Sequence, residues 1–390
     1  MLLLNLVFQK KVFQDLYSFK MKLMILSIGE NSIANYALIE YFKTHNDDIV
    51  FGYDKVLLIS TKSRTNEISK RIMDLQKDIS FETIELEKDE EVNFNKIKDK
   101  VLNKLKELNP THIHYNYTGG RKPMSLGTFL AVENYENSCK KIYSDIDYSQ
   151  YNLTLADGTK YPKDGDISTG LKIPISDIYL LHGLNEPKFK IEHSEFFSLD
   201  FCQYLFDKSI NDVKNFYENL WDKDFDELKK LDYKKSIEDF VSNKQELTNK
   251  ELKKLQDFIR GNWLEEYIFY YLKENKEEFN ITDIAWSIEA KKEGNDFEVD
   301  VLAVCGYKTF LFTCTTATSK GVLKTKAFEG NKRSIQIAGI ESHTILVCLA
   351  NDKTLKIVKK DTGDKKFHII GKEDIENTNN LIQNLGNIFK

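Results

Sequence analysis

Residues 112–125, HIHYNYTGGRKPMS, contain the segment that decides the fold of this 390-residue chain. His112–Tyr117 is predicted to be a strand. The double glycine Gly119-Gly120 allows a sharp turn after it, and Pro123 suits the first turn of a helix over Pro123–Tyr135. The segment therefore predicts one strand–turn–helix unit of an α/β fold.

The same order of strand and helix repeats around this segment. The predicted strands are Lys22–Ile28, Asp54–Ser60, Phe81–Leu86 and Lys140–Tyr143, and the predicted helices are Ile33–Phe42, Arg64–Asp78 and Asn93–Leu108. Strands that alternate with helices of this length predict a parallel, doubly wound, Rossmann-like sheet. Ligands of such sheets bind outside the carboxyl ends of the strands, so the loops that follow the strands are the ones to examine.

Two of these loops are candidate ligand-binding segments. One leaves the first strand at residues 27–31, and the other spans residues 116–125. In the second loop the double glycine lets backbone N–H groups approach a ligand, while Lys122 and the positive end of the helix dipole favour an anion. The candidate ligand residues are Ser27, Gly29, Asn31, Asn116, Thr118, Gly119, Gly120, Arg121, Lys122, Met124 and Ser125.

The alternative for both loops is an ordinary turn with capping residues. We favour that alternative for the 27–31 loop taken alone, and phosphate binding for the 116–125 loop. Neither loop has the GxGxxG pattern of dinucleotide-binding folds or the GxxxxGK pattern of nucleoside-triphosphate hydrolases, so both of those classes lose support.

The rest of the chain predicts a second domain. We assign no function to the N-terminal extension, residues 1–20, and place the doubly wound domain at residues 21–186, with short strands and turns over 145–185. Residues 187–256 are polar and predicted to be a helical connector. Residues 257–390 read α-β-β-β-α-β, with a tight turn at Cys305-Gly306-Tyr307, which predicts a mixed α/β domain.

The composition excludes several classes of protein. The net charge is only −5, so no strong global field draws the chain to nucleic acid. An aromatic content of 12% argues against a disordered chain, and no run of 18 apolar residues suggests a membrane span. The five cysteines are scattered without a CxxC pair, which predicts neither a disulfide framework nor a zinc ribbon and favours the cytoplasm.

The second domain contains an acidic constellation. Glu265 lies near the start of a predicted helix, and Glu298 and Asp300 are two positions apart on a predicted strand, so the latter two share one face. Carboxylates in this arrangement suit a hard cation such as Mg²⁺ or Mn²⁺, which can activate water and stabilise charge on a scissile phosphate.

A basic helix follows the acidic strand. Residues 320–333 hold five basic residues and one acid, Glu329, and a lysine there would stabilise a phosphate in its transition state. The alternative is a pair of solvent-facing acids beside a solvated basic helix. From the residues alone we weight these two interpretations equally.

Taken together, residues 116–125, the stretch GNWLEE at residues 261–266, and Glu298-Val-Asp300 resemble the CRISPR ancillary nucleases. Members of that family join a CRISPR-associated Rossmann fold (CARF) sensor to a restriction-endonuclease-like PD-(D/E)xK domain. The resemblance covers nearly the whole chain from Met21. By position, Glu265 matches the family's helix carboxylate and Asp300 its central metal-binding aspartate.

The resemblance implies a cytoplasmic homodimer of type III CRISPR antiviral defence. Its sensor domains would bind a cyclic oligoadenylate, most often cyclic tetra-adenylate, as an allosteric activator. Binding would switch on an endonuclease that uses Mn²⁺ or Mg²⁺, held by Glu265, Asp300 and Glu298, to cut single-stranded RNA, DNA or both. The ring size of the activator, the choice between RNA and DNA, and degradation of the activator by the sensor stay open.

One motif of the family is replaced in this chain. The family carries acid-x-Lys on the strand after the aspartate, where this chain has Thr313-Cys314-Thr315. We favour a lysine displaced to the following helix, with Lys324 and Lys326 as the candidates. The alternatives are a sensor whose second domain has lost catalysis and only binds nucleic acid or a partner, and a restriction-type endonuclease that needs no activator.

Overall fold

The computed structural model describes residues 21–45, 52–136, 138–147, 152–163, 166–207, 248–292, 294–362 and 366–389. Contacts within the chain define two compact units, Met1–Ile167 and Ser168–Lys390. The N-terminal extension and residues 208–247 of the predicted connector lie outside the described residues, so the domain boundaries expected at 186 and 256 stay predictions. In the described part of the chain, no helix has the length and apolarity needed to cross a membrane.

The first unit is built on a seven-stranded sheet with the order β3-β2-β1-β4-β5-β6-β7. Its strands are β1 Lys22–Ser27, β2 Lys55–Thr61, β3 Phe81–Leu86, β4 His112–Asn116, β5 Lys140–Asp147, β6 Asn152–Leu155 and β7 Lys160–Tyr161. Its helices are α1 Ser32–Thr44, α2 Asn66–Leu75, α3 Phe94–Leu108 and α4 Lys122–Glu133. Strands β1 to β5 pair in parallel and β6 and β7 pair antiparallel, so the predicted Rossmann-like α/β fold is confirmed.

Helices cover both faces of this sheet because its strands carry apolar side chains on both. Helices α3 and α4 pack on the face that holds Ile25 and Ile113. On the opposite face, Phe42 of α1 meets His114 edge-on, with ring centroids 5.4 Å apart. The chain runs outward from β1 to β3 and then returns to β4, so the strand order reverses between β1 and β4. Ligands of doubly wound sheets bind at this reversal.

The second unit is built on a six-stranded mixed sheet with the order β13-β12-β11-β10-β9-β8. Its strands are β8 Lys188–Lys190, β9 Asp283–Lys292, β10 Asn295–Cys305, β11 Lys308–Thr315, β12 His343–Cys348 and β13 Phe367–Ile370. The predicted hairpin turn is confirmed: Cys305 pairs with Lys308, and Gly306 has a φ of 66°, in the left-handed region. Strand β11 then pairs in parallel with β12, as a mixed sheet requires.

The helices of the second unit are α5 Ile175–Leu181, α6 Leu199–Asp207, α7 Asn249–Asp257, a π-helical turn Phe258–Asn262, α8 Trp263–Glu274, α9 Lys320–Ala338, α10 Asp352–Thr362, α11 Lys372–Glu376 and α12 Thr378–Phe389. Helix α5 lies in the stretch for which short strands and turns were predicted, so that expectation is wrong there. With seven residues after Pro174, α5 is too short for a helical period to stand out from the sequence. The edge strand β8 and helices α10 to α12 were also missed.

Candidate functional site

The two ligand loops of the first unit lie on either side of the strand reversal and touch through their backbones. A Cβ atom on Gly29 would stand 3.0 Å from the Gly120 nitrogen, and one on Gly119 would stand 2.1 Å from the Ser27 carbonyl oxygen. Gly120 has a φ of 79°, which other residues rarely adopt. The glycines are therefore required for this close approach, and the structure brings together the two loops that the sequence singled out.

Several predicted ligand residues instead shape the 116–125 loop. The Asn116 side chain donates to Ser144 Oγ at 2.9 Å and accepts from the Thr118 N–H at 3.2 Å. Thr118 Oγ1 in turn accepts from the Ile146 N–H at 2.8 Å. These bonds attach the loop to the end of β5. Asn116 and Thr118 are thus positioned as supports of the loop backbone.

Three further predicted residues make contacts within the first unit. Ser27 is fully buried, and its hydroxyl shares a hydrogen bond with Tyr115 OH at 3.1 Å. Met124 is fully buried under Gly120, and Ser125 Oγ donates to the Arg121 carbonyl at 3.5 Å. Their roles are in packing the loop rather than in presenting side chains.

The charged residues of the loop face the surface. Lys122 is exposed in the first turn of α4. Arg121 is half-buried and pairs with Glu91, with Nη1 and Oε2 3.4 Å apart. Glu91 was not identified from the sequence, because nothing in the local pattern shows that the turn after β3 reaches this loop. Among the described residues no side chain caps the start of α4, so its first N–H groups and Lys122 are the donors that this loop offers to an anion.

In the second unit, the structure brings Glu265 and Asp300 together. Burial raises the pKa of Glu265 well above its usual value, and the negative charges of Asp300 and Glu298 add to this shift. Burial also raises the pKa of Asp300. Asp300 Oδ2 accepts a hydrogen bond from the Cys314 N–H at 2.6 Å, which orients the carboxylate. Glu298 lies on the same strand face but is exposed.

The basic helix α9 supplies the compensating charges. Lys326 and Arg333 oppose the rise in the pKa of Asp300, so both lie near its carboxylate. Arg333 Nη1 donates to the Glu298 carbonyl oxygen at 2.6 Å. Lys324, the other predicted candidate, forms an ion pair with Asp361 of α10 instead. Arg333 was missed as an individual site residue, although the sequence placed it in the basic run.

A glycine sets the distance between α9 and the sheet. A Cβ atom on Gly330 would stand 2.9 Å from Thr313 Cγ2. Thr313, where the related family has its acid, is therefore a packing residue against the helix. Lys326 lies one helical turn before Gly330 and Arg333 about one turn after it, so the two cations that lower the pKa of Asp300 flank this close contact.

The chemistry of these acids fits a divalent cation in part. The negative charge of Asp300 raises the pKa of Glu265, and a hard cation with oxygen ligands bound between them would relieve this repulsion. Within the described ranges, however, no group of three or more His, Cys, Asp or Glu side chains stands in a metal-binding arrangement. Glu265 and Asp300 therefore fit as metal ligands, whereas the exposed Glu298 does not form a three-carboxylate group with them. The thiol of Cys314 stays protonated, because burial and the adjacent carboxylates raise its pKa well above the usual value.

Comparison with known proteins agrees with the fold of both units. Residues 23–167 match the family model of the Card1 CARF domain, so the first unit is a Rossmann-like CARF domain. The chain is similar in fold to Can2 from Sulfobacillus thermosulfidooxidans, solved in complex with cyclic tetra-adenylate, with a TM-score of 0.66 and 14% identity over 93% of this chain and 99% of that one. It is also similar to protein VC1899 from Vibrio cholerae, with a TM-score of 0.64 and 15% identity over 95% and 98% of the two chains. No curated protein matches the sequence.

Proposed function

We propose that this protein senses cyclic oligoadenylate in type III CRISPR defence and, when the ligand is bound, acts as a metal-dependent nuclease. The observation that carries the proposal is the combination of a CARF domain, with an anion-binding loop at its strand reversal, and a separate unit that clusters Glu265, Asp300, Lys326 and Arg333. The likeness to Can2, which was solved with cyclic tetra-adenylate, supports that ring as the ligand.

In the proposed reaction, Glu265 and Asp300 would hold Mn²⁺ or Mg²⁺, with Glu298 available from the same strand face. The bound metal would lower the pKa of a water molecule and polarise the scissile phosphate. Lys326 would stabilise the negative charge that develops on that phosphate, while Arg333 holds the Glu298 backbone in place. The substrate would be single-stranded RNA or DNA.

The proposed homodimer is supported by an apolar surface on the CARF domain. Helices α3 and α4 pack closely at Gly127, whose Cβ atom would stand 2.7 Å from the Phe94 carbonyl oxygen. Around this contact Val92, Phe94, Leu126 and Phe129 are exposed. We call these four residues the apolar patch and propose that it contacts the second copy. The five cysteines are free and buried, which supports a cytoplasmic location.

The test is a cleavage assay with purified protein, Mn²⁺ or Mg²⁺, and fluorescent single-stranded RNA or DNA, with and without cyclic tri-, tetra- and hexa-adenylate. We expect cleavage only with metal and one of the rings. Binding of a ring without any cleavage would instead establish a sensor with an inactive second unit. Equal cleavage with and without the rings would establish an activator-independent endonuclease.

A further inference from the structure

A polar side chain beneath the two loops lacks a hydrogen-bond partner in the part of the chain that the structure describes. Asn35 lies on α1 with 1% of its surface exposed. Neither its amide oxygen nor its amide nitrogen has a hydrogen-bond partner among the residues that the structure describes. Folded proteins pair nearly all such groups, because a buried amide without a partner has lost its bonds to water. A partner in another state of the protein would explain this arrangement.

Asn35 stands directly behind the double glycine. A Cβ atom on Gly119 would lie 3.2 Å from Asn35 Oδ1 and 3.1 Å from the Gly29 nitrogen. The amide is therefore next to the point at which the two ligand loops touch. A small movement of the Gly119 peptide would bring its backbone groups within hydrogen-bond distance of the amide.

A second polar side chain, at the start of α1, also lacks a hydrogen-bond partner among the described residues. Asn31 is the N-cap of this 13-residue helix, but its side chain makes no capping hydrogen bond. Its Oδ1 atom is buried and also lacks a partner among the described residues. The Asn31 side chain does not cap the first N–H groups of α1, so these groups can donate to a phosphate instead. Asn31 at the N-cap and Asn35, the fourth residue of the helix, stand at the same end of α1, next to the 27–31 loop.

We propose that Asn35 is a positioning residue of the ligand site. A phosphate of the bound ligand draws the loop at residues 118–120 into a second arrangement, in which the Gly119 backbone and the Asn35 amide form hydrogen bonds. The inference rests on the proposed function, which supplies a cyclic oligoadenylate as the phosphate-bearing ligand. The Asn35 amide gains hydrogen bonds only in the bound arrangement of the loop. These bonds therefore stabilise that arrangement, and ligand binding and the movement of the loop favour each other.

The test is the variant Asn35→Leu, which keeps a branched side chain of four heavy atoms and removes both polar atoms. The Tm of the free protein should rise by about 2–4 °C, because an unpaired buried amide is gone. The Kd for cyclic tetra-adenylate, measured by titration calorimetry, should rise about tenfold, because the bonds of the bound state are gone as well. A residue with a packing role alone would change the two quantities differently, lowering the Tm and leaving the Kd unaltered.

Ser60→Ala is the matched control. Ser60 is fully buried and its hydroxyl has no partner in the described part of the chain, so its removal should raise the Tm and leave the Kd within about twofold. A wild-type Kd or a lower Tm in Asn35→Leu overturns the inference. Should that variant not fold, Asn35→Ala gives the same comparison of Kd. If the wild-type protein binds none of the rings, the proposed function fails, and the inference fails with it.

Discussion

Lys324 and Lys326 are two residues apart on α9 and therefore point about 200° apart around the helix axis. Because of this difference in direction, only one of the two lysines can lie on the side of the helix that faces Asp300. Lys326 lies near Asp300, whereas Lys324 is paired with Asp361 on the neighbouring helix. Under the proposed function, Lys326 is therefore the candidate to replace the lysine that β11 lacks, and Lys324 is not.

We expect Lys326→Met to lower the cleavage rate by about 10²-fold or more, because it removes the positive charge nearest the reacting phosphate. Lys324→Met is the matched control, since it removes the same charge two positions away. It should leave the rate within about twofold and reduce stability by at most about 1 kcal/mol, as is usual for surface ion pairs. The measurement is single-turnover cleavage at saturating activator, and a larger loss in Lys324→Met would contradict this assignment.

His114 gives the CARF domain a defined response to pH. Burial lowers its pKa to about 3, and its Nε2 atom shares a hydrogen bond with Ser144 Oγ at 2.7 Å. An unfolded histidine has a pKa of about 6.5, so between pH 6.5 and 3 the unfolded chain binds the extra proton. The stabilising contribution of neutral His114 is therefore complete above pH 6.5 and is lost as the pH falls towards 3.

We predict that His114→Asn makes stability less dependent on pH in this range. The difference in unfolding free energy between wild type and variant should change by about 1.4 kcal/mol per pH unit below pH 6.5 and level off above it. Urea unfolding of the full chain between pH 4 and 8, followed by circular dichroism, measures this difference. A constant difference across the whole range would show that His114 does not titrate on unfolding.

At the scale of elements, the close contact between α9 and β11 assembles the acidic site. Gly330 lets the helix approach Thr313, and the residues one turn to either side, Lys326 and Arg333, carry the positive charges that lower the pKa of Asp300. The glycine is therefore a requirement of the site even though it has no chemistry of its own. The hairpin of β10 and β11 also orients Asp300, because the Cys314 N–H of β11 donates a hydrogen bond to its carboxylate.

We expect Gly330→Ala to reduce cleavage by about tenfold and stability by about 1–3 kcal/mol, because a Cβ atom there would stand 2.9 Å from Thr313 Cγ2. Gly321→Ala in the same helix is the control. Nothing lies within 4 Å of a Cβ atom at 321, so this variant should be stabilised by about 0.5–1 kcal/mol and keep its activity. Cleavage rates and urea midpoints of both variants test the account, and wild-type cleavage by Gly330→Ala would contradict it.

The alternation of strands and helices was predictable because each element leaves a local pattern, as His112–Asn116 and its glycine turn illustrate. Contacts between distant segments left no such pattern. The ion pair of Arg121 with Glu91, the burial of Asn35 behind Gly119 and the contact of Gly330 with Thr313 each join residues from different elements. The two loops and the basic helix could therefore be singled out from the sequence, whereas the side-chain contacts that hold Asn116 and Thr118 in place could not.

At the scale of the whole molecule, the proposed account needs two copies. Leu126 of the apolar patch is 47% exposed on α4, and exposed groups of large apolar residues commonly mark interfaces. We predict that Leu126→Glu converts a dimer into a monomer, because a charge there would be buried without a partner. Light scattering after size exclusion measures the mass, with Ile357→Glu on α10 as the control. A dimer that persists in Leu126→Glu would exclude the patch as the contact.

The central claim is that a ligand of the first unit controls chemistry in the second. The most direct measurement is the cleavage rate of single-stranded RNA and DNA by wild-type protein and Asp300→Asn, with Mn²⁺, before and after addition of cyclic tetra-adenylate. We predict that the ring stimulates the wild type by at least about 10²-fold, and that Asp300→Asn binds the ring with wild-type affinity but does not cleave. Equal cleavage by wild type and Asp300→Asn would contradict the account.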